Sequence, residues 1–148
     1  MVMNDNPPIQ TIPRIVFVCV ENSCRSQIAE AYARILGGGN VDVYSAGSKP
    51  SGQVNPKAIL AMKELGYDLA THASKGLDEL PNVEFDAVIL MGCGDMCPFV
   101  RGKYHADWGI PDPKHMPPEE FRQVRDRIGE KVRDLLSRQL AAISFQPE

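Results

Sequence analysis

The segment Cys19-Val20-Glu21-Asn22-Ser23-Cys24-Arg25-Ser26 places a thiol, a guanidinium and a hydroxyl close together in the chain. A cysteine is nucleophilic as the thiolate, a form favoured by cationic neighbours and by helix N-termini. Arginine grips two oxygens of a tetrahedral anion with its planar fork. Arg25 follows Cys19 by six residues. A loop turning back over that distance sets the sulfur beneath an anion held by the amides of Val20, Glu21, Asn22, Ser23, Cys24 and Ser26 and by Arg25. Ser26 can donate a hydrogen bond to the sulfur. Asn22 suits the loop because Asn accepts left-handed backbone that few residues tolerate. Glu21 is the misfit, since a carboxylate repels an oxyanion, and it is expected to point outward. Plainer readings exist: Cys19 as a core cysteine at a strand end, Arg25 as an exposed helix-start residue, and Cys24 as simple packing.

A second pair of thiols, Cys93 and Cys97, stands four residues apart in Met91-Gly92-Cys93-Gly94-Asp95-Met96-Cys97-Pro98. Such a pair forms a disulfide if the backbone brings the Cβ atoms close, and Gly92 and Gly94 ease that rearrangement. Exposed, strained disulfides are the exchangeable kind. Two other readings stay open. Cys19, Cys24, Cys93 and Cys97 have spacings near those of structural zinc sites, or Cys93 and Cys97 are unrelated buried residues. Further on, Asp112 is held between Pro111 and Pro113. A carboxylic acid over an anion can protonate a leaving oxygen, although Asp-Pro is also a turn signal. Trp108 reads as a packing anchor. His72, His105 and His115 lack ligand spacing and read as surface or loop residues.

These groups need a scaffold. Ile15 to Val18 is a buried strand that ends at Cys19. Gln27 to Leu36 reads as a helix with Ile28, Tyr32, Ile35 and Leu36 near one face, stopped by Gly37, Gly38 and Gly39. Val41 to Tyr44 alternates as a second strand. Asn55-Pro56 starts a helix reaching about Leu65, and Gly66 ends it. Leu77 to Leu80 suits a short helical turn, and Phe85 to Met91 a central strand. Residues 92–115 read as one long functional loop. The final helix starts near Pro118, with Phe121, Val124, Ile128, Val132, Leu135, Leu136 and Leu140 on its buried stripe. Arg122, Arg125, Asp126, Arg133 and Asp134 form its solvated face. Alternating strands and helices imply an α/β domain with a mostly parallel sheet. The Cys19 loop falls at the carboxyl end of a strand, where such folds bind ligands.

The 148 residues, 43% hydrophobic and 24% charged, suffice for one domain with a full core. That domain is expected over 12–140, between flexible tails at 1–11 and 141–148. Net charge is −3 without a basic block, so no nucleic-acid partner is expected. No apolar run is long enough to span a bilayer, and residues 1–13 lack signal-peptide features. The expected location is the cytoplasm, where thiols stay reduced and cysteines serve catalysis, metals or packing.

Taken together, these motifs resemble the low-molecular-weight tyrosine phosphatase family, and within it the arsenate reductases that use intramolecular cysteines. The resemblance is carried by Val18 to Gln27, Tyr44-Ser45-Ala46-Gly47, Val54 to Ala58, Cys93-Gly94-Asp95, Asp107-Trp108 with Asp112-Pro113, and Phe121 to Asp126. It implies a three-layer sandwich in which helices flank a four-stranded parallel sheet. It further implies that Cys19 attacks arsenate, that Arg25 and the loop amides hold the oxygens, and that Asp112 protonates the departing oxygen. Cys93 would then attack the Cys19 sulfur and release arsenite. Cys97 would take the oxidation into a Cys93–Cys97 disulfide, reopened by a thioredoxin-like protein or a small thiol. Phosphate and sulfate would be analogues of the substrate. The protein would be a monomer serving arsenical resistance, with no metal, organic cofactor or membrane.

This chain differs from the family pattern in spacing Cys93 and Cys97 more closely. Some members also bind potassium behind the loop, at positions matching Asn22, Glu30 and Ser45. Lys75 stands where that pattern has an acid, so an ammonium beside Glu30 is expected in place of potassium. Two alternatives remain: a phosphomonoester phosphatase using Cys19, Arg25 and Asp112, or a non-catalytic zinc or redox-sensing module. Lys114 follows Pro113 where family phosphatases usually have an aromatic residue, which speaks against the first.

Overall fold

The computed structural model describes residues 12–93 and 99–144, with only the backbone described for 140–144. Four strands form one parallel sheet: β1 (Arg14–Cys19), β2 (Asp42–Gly47), β3 (Phe85–Leu90) and β4 (Gly102–Asp107), in the order β2-β1-β3-β4. The helices are α1 (Arg25–Gly37), α2 (Pro56–Lys63) and α3 (Pro118–Ser144). α1 and α3 pack together on one face, joined by α2, around Ile15, Phe17, Ile28, Met62, Ile89 and Ile128. The other face is a thinner layer, where Val16, Val18, Phe85 and Val88 are covered by Leu77, Leu80 and Val83 around the 3-10 turn Leu77–Glu79. The expected parallel, helix-flanked sheet is therefore present. Among the described residues, no helix is long and apolar enough to cross a membrane.

Strand order creates the site. The chain leaves β1 toward β2 on one side, and β3 pairs β1 on the other, so β1 ends at a topological switch point. Val18 lies opposite Leu90, so β1 and β3 end together. Their following segments, from Cys19 and from Met91, emerge at one sheet edge.

Four local expectations are corrected. Residues 92–115 are not one loop, because Gly102–Asp107 is an edge strand. Its residues are mostly exposed, so it lacks the apolar run or alternation that marks a strand. Ile35 and Leu36 are 45% and 37% exposed; α1 instead buries Ile28, Ala29, Ala31, Ala33 and Gly37. Arg125 is buried rather than solvated, donating to the Ala61 carbonyl and to Glu64 beside α2. The His72 side chain is 6% exposed and is no surface residue. Asn55 caps α2 as expected, accepting from the Lys57 amide. α3 continues past Leu140 to Ser144.

Candidate active site

The loop from Cys19 to Arg25 folds as a cradle whose back is fixed to the rest of the chain. Its carbonyls face outward: Cys19, Val20, Glu21 and Ser23 accept from the amides of Ser48, Lys49, Ser51 and Asn55 respectively. The Ser74 hydroxyl also donates to the Glu21 carbonyl. Asn22 has φ +48°, the left-handed conformation expected of it. Its side-chain oxygen accepts the Lys75 amide at 2.7 Å, and its amide donates to Ser26 Oγ at 2.8 Å. That Oγ lies 2.8 Å from Cys19 Sγ. With Cys19 ionised, the sulfur can only accept, and Ser26 donates to it.

Arg25, at the first turn of α1, is buried. Its Nη1 donates to the carbonyls of Met91 and Ile110, both at 2.8 Å, which anchors the guanidinium between the segments that follow β3 and β4. Gly92 permits this approach. It has φ +95°, and a Cβ there would lie 2.7 Å from the Ile110 carbonyl and 3.3 Å from Nη1.

These groups line a cavity of about 230 Å³ bounded by Cys19, Glu21, Cys24, Arg25, Asp112 and Lys114, with Val20, Ser23 and Asn55. Its size and polar lining suit a small tetrahedral anion. Cys24 is buried in the wall. Burial, then the nearby Asp112 and Cys19 charges, push its thiol far upward, so Cys24 stays neutral. Glu21 is partly exposed rather than turned away, and Lys114 Nζ stands 3.5 Å from its carboxylate at the rim. Asp112 Oδ1 accepts the Lys114 amide. Lys57 Nζ donates to the carbonyls of Lys114 and Met116, holding the Asp112 segment. Trp108 acts as the expected packing anchor, against Phe17 and beneath Lys131.

Cys19 and Cys24 are free thiols, whereas Cys93 is disulfide-bonded. Cys93 Sγ lies 3.9 Å from the Val18 carbonyl oxygen, beside the start of the Cys19 loop. Cys97 lies outside the described residues. Among the described residues, no three His, Cys, Asp or Glu are grouped to hold a metal.

Behind the loop, Glu30 is buried. It accepts from Ser45 and Arg34, and Lys75 Nζ lies 3.4 Å away, which is the arrangement expected for Lys75. Burial works to raise the Glu30 carboxyl, but these donors and His72 hold it below the usual range. Burial also depresses the His72 ring, with Lys75 and Arg34 adding to the fall against the pull of Glu30. The ring is therefore neutral at neutral pH. Sequence reasoning missed Asn55, Lys57, Gln27 and His72. Asn55-Pro56 signalled a helix start, Gln27 reaches back five residues to Asn22, and Lys57 and His72 meet the site through contacts distant in sequence.

An anion-sized pocket built by a β1–α1 loop, over a free cysteine and a buried arginine, is the architecture of the low molecular weight phosphotyrosine protein phosphatases. The chain belongs to that family, whose model matches residues 14–144. Within it, the chain is 38% identical over 128 residues to a glutaredoxin arsenate reductase of a Synechocystis strain, covering 84% of this chain and 97% of the relative. It is 42% identical over 123 residues to arsenate reductase 2 of Staphylococcus saprophyticus, covering 80% and 92%. A solved arsenate reductase in its phosphate-binding state superposes with a TM-score of 0.76 at 36% identity, covering 85% of this chain and 98% of that one. A thioredoxin-dependent arsenate reductase of Corynebacterium glutamicum gives 0.73 at 30% identity, covering 90% and 65%.

Proposed function

We propose that this chain reduces arsenate to arsenite, with Cys19 as nucleophile. Arsenate would sit in the cradle, held by the loop amides from Val20 to Ser26 and by the guanidinium edge of Arg25 not bonded to Met91 and Ile110. Cys19 sulfur attacks arsenic, Asp112 protonates a departing oxygen, and water leaves. Cys93 then attacks the Cys19 sulfur. The electron pair of the broken S–As bond stays on arsenic, which leaves as arsenite, and a Cys19–Cys93 disulfide remains. Cys97 attacks Cys93, freeing Cys19 and forming a Cys93–Cys97 disulfide. An external dithiol or pair of thiols reduces that bond. The net change is arsenate plus two thiols to arsenite, one disulfide and water, the two thiol hydrogens leaving in the water.

One observation carries this reading: Cys93 is in a disulfide while Cys19, at the same sheet edge, is a free thiol in an anion pocket. That is the state expected once a relay has carried the oxidation away from Cys19. Hydrolysis of a phosphomonoester needs Cys19, Arg25 and Asp112 but no further cysteine. Because phosphate matches arsenate in shape and charge, slow phosphatase activity is expected alongside. Lys114 paired with Glu21 at the rim offers no aromatic surface to a phosphotyrosine ring.

The test is arsenate-dependent NADPH consumption, supplied in parallel by thioredoxin with its reductase and by glutaredoxin with glutathione, beside a phosphomonoester assay. Arsenate turnover with either donor supports the reading. Phosphatase turnover with no arsenate reduction in either system overturns it.

A further inference from the structure

The cradle has main-chain donors to offer an anion but no main-chain acceptors. Every carbonyl from Cys19 to Cys24 is already engaged: those of Cys19, Val20, Glu21 and Ser23 by the amides of Ser48, Lys49, Ser51 and Asn55, that of Asn22 by Gln27 Nε2 at 3.1 Å, and that of Cys24 by the Ile28 amide at 2.9 Å. The Arg25 guanidinium likewise only donates. Bare oxygens of a tetrahedral guest suit such a surface. An oxygen that keeps its proton does not, because its O–H is left unpaired unless it meets an acceptor. Inorganic arsenate and phosphate carry at least one such hydroxyl at neutral pH. Sulfate carries none, and a phosphomonoester has carbon on that oxygen.

An acceptor therefore has to come from the side chains of the pocket. Asp112, as the acid of the proposed reaction, brings its own proton, and its Oδ1 already accepts the Lys114 amide. The Asn55 side-chain oxygen is taken by the Lys57 amide. The Ser23 hydroxyl donates as readily as it accepts and does not tell the guests apart. That leaves Glu21, whose carboxylate can only accept. Its carbonyl is bonded to the Ser51 amide at 3.0 Å and to the Ser74 hydroxyl at 2.9 Å, which pins its backbone to the cradle. Its side chain lines the pocket, with Lys114 Nζ 3.5 Å from Oε2. Lys114 is itself held, since Lys57 Nζ donates to its carbonyl at 2.8 Å. Among the described residues, no donor is bonded to Glu21 Oε1.

We propose that Glu21 is a specificity residue: its carboxylate accepts the hydroxyl of a protonated tetrahedral oxyanion, so the pocket selects inorganic arsenate and phosphate over sulfate and phosphomonoesters. Lys114 steadies the carboxylate and offsets its charge. A carboxylate facing an oxygen without a proton repels it, so one group favours the first guests and rejects the others. The inference deepens the reading above and rests on the Cys19 loop being an oxyanion pocket.

The test is calorimetric titration of the reduced full chain with inorganic phosphate and with sulfate, at neutral pH and fixed ionic strength. The parent protein is expected to bind phosphate at least about tenfold more tightly, as a hydrogen bond to a charged group provides. In Glu21→Gln the two dissociation constants should come within about threefold of each other, because sulfate gains and phosphate loses its special acceptor. Lys114→Met, which removes a charge and keeps the carboxylate, should weaken both anions and leave their ratio close to the parent's. If Glu21→Gln does not fold, Glu21→Ala takes its place with the same expectation. A parent without preference for phosphate, or a preference kept by the Glu21 variant, overturns the proposal. So does a mirror-image result, with the ratio rising in Lys114→Met as much as it falls in Glu21→Gln, which marks net charge alone. Binding of neither anion would remove the anion pocket, and the functional reading with this inference, whereas equal binding of both removes this inference alone.

Discussion

The Ser26 hydroxyl lies 2.8 Å from the Cys19 sulfur and accepts the Asn22 amide, so with Cys19 as the thiolate, which has no proton to give, Ser26 is the donor of this pair. A hydrogen bond to a charged group contributes about 1.5–3 kcal/mol. Ser26→Ala should therefore lower kcat for arsenate reduction by about 10- to 100-fold, with KM nearly unchanged, since Ser26 holds the sulfur rather than the anion. Steady-state kinetics beside circular dichroism would show this, and unchanged kcat would remove the hydroxyl from the mechanism.

Gly47 ends β2 directly against the loop. A Cβ there would lie 2.4 Å from the Val20 carbonyl oxygen and 2.8 Å from the Asn22 amide. Neither can yield without moving the cradle. Gly47→Ala should destabilise the fold by about 1–3 kcal/mol and weaken phosphate binding in calorimetry. Wild-type phosphate affinity in this variant would contradict the packing described.

The cysteines should separate by role. Cys93→Ser is expected to permit a single attack of Cys19 on arsenate but to release no arsenite, and so to abolish repeated turnover. Cys24→Ala should keep most activity, because the Cys24 thiol is buried, neutral and outside the relay. Quench-flow counting of arsenite against enzyme distinguishes these outcomes. Multiple turnovers by Cys93→Ser would end the relay proposal.

Acid stability has a defined sign at Glu64. Hydrogen bonds from Arg122 and then Arg125 hold its carboxyl at about 2, against 4.5. As pH falls below 4.5 the unfolded chain takes up the proton first, so the stabilisation is whole above 4.5 and lost as pH falls through about 2. Glu64→Gln should flatten the dependence of denaturation midpoint on pH within that window. His72 acts in the same sense at higher pH: its folded value lies below 6.5, so its contribution is complete above 6.5 and declines on acidification. A Glu64→Gln protein with the same acid dependence as the parent would refute the assignment.

How much was legible in advance depended on whether the signal was local. Ile15 to Val18, Asn55-Pro56 and the stripe from Phe121 to Leu136 each carry their period or cap within a few residues, and each formed the expected element. β4 did not show because an exposed edge strand has no buried face to impose alternation. Arg125 reads as a surface charge on its own helix; Glu64 and the Ala61 carbonyl, more than sixty residues earlier, decide its burial. His72 is likewise placed by Gln27, forty-five residues away.

By itself the sequence determined the chemistry available: a thiol, a guanidinium and a hydroxyl at loop spacing after an apolar strand, with two more thiols after another. Residue type and short-range backbone preference suffice for that, because both act within one turn of chain. Only the tertiary structure decided that these groups meet. The β2-β1-β3-β4 order ends β1 and β3 at one edge, carries the Met91 and Ile110 carbonyls to Arg25, and lays Gln27 and His72 behind Asn22. Such contacts arise from burial and strand pairing across the whole chain, which no local pattern records.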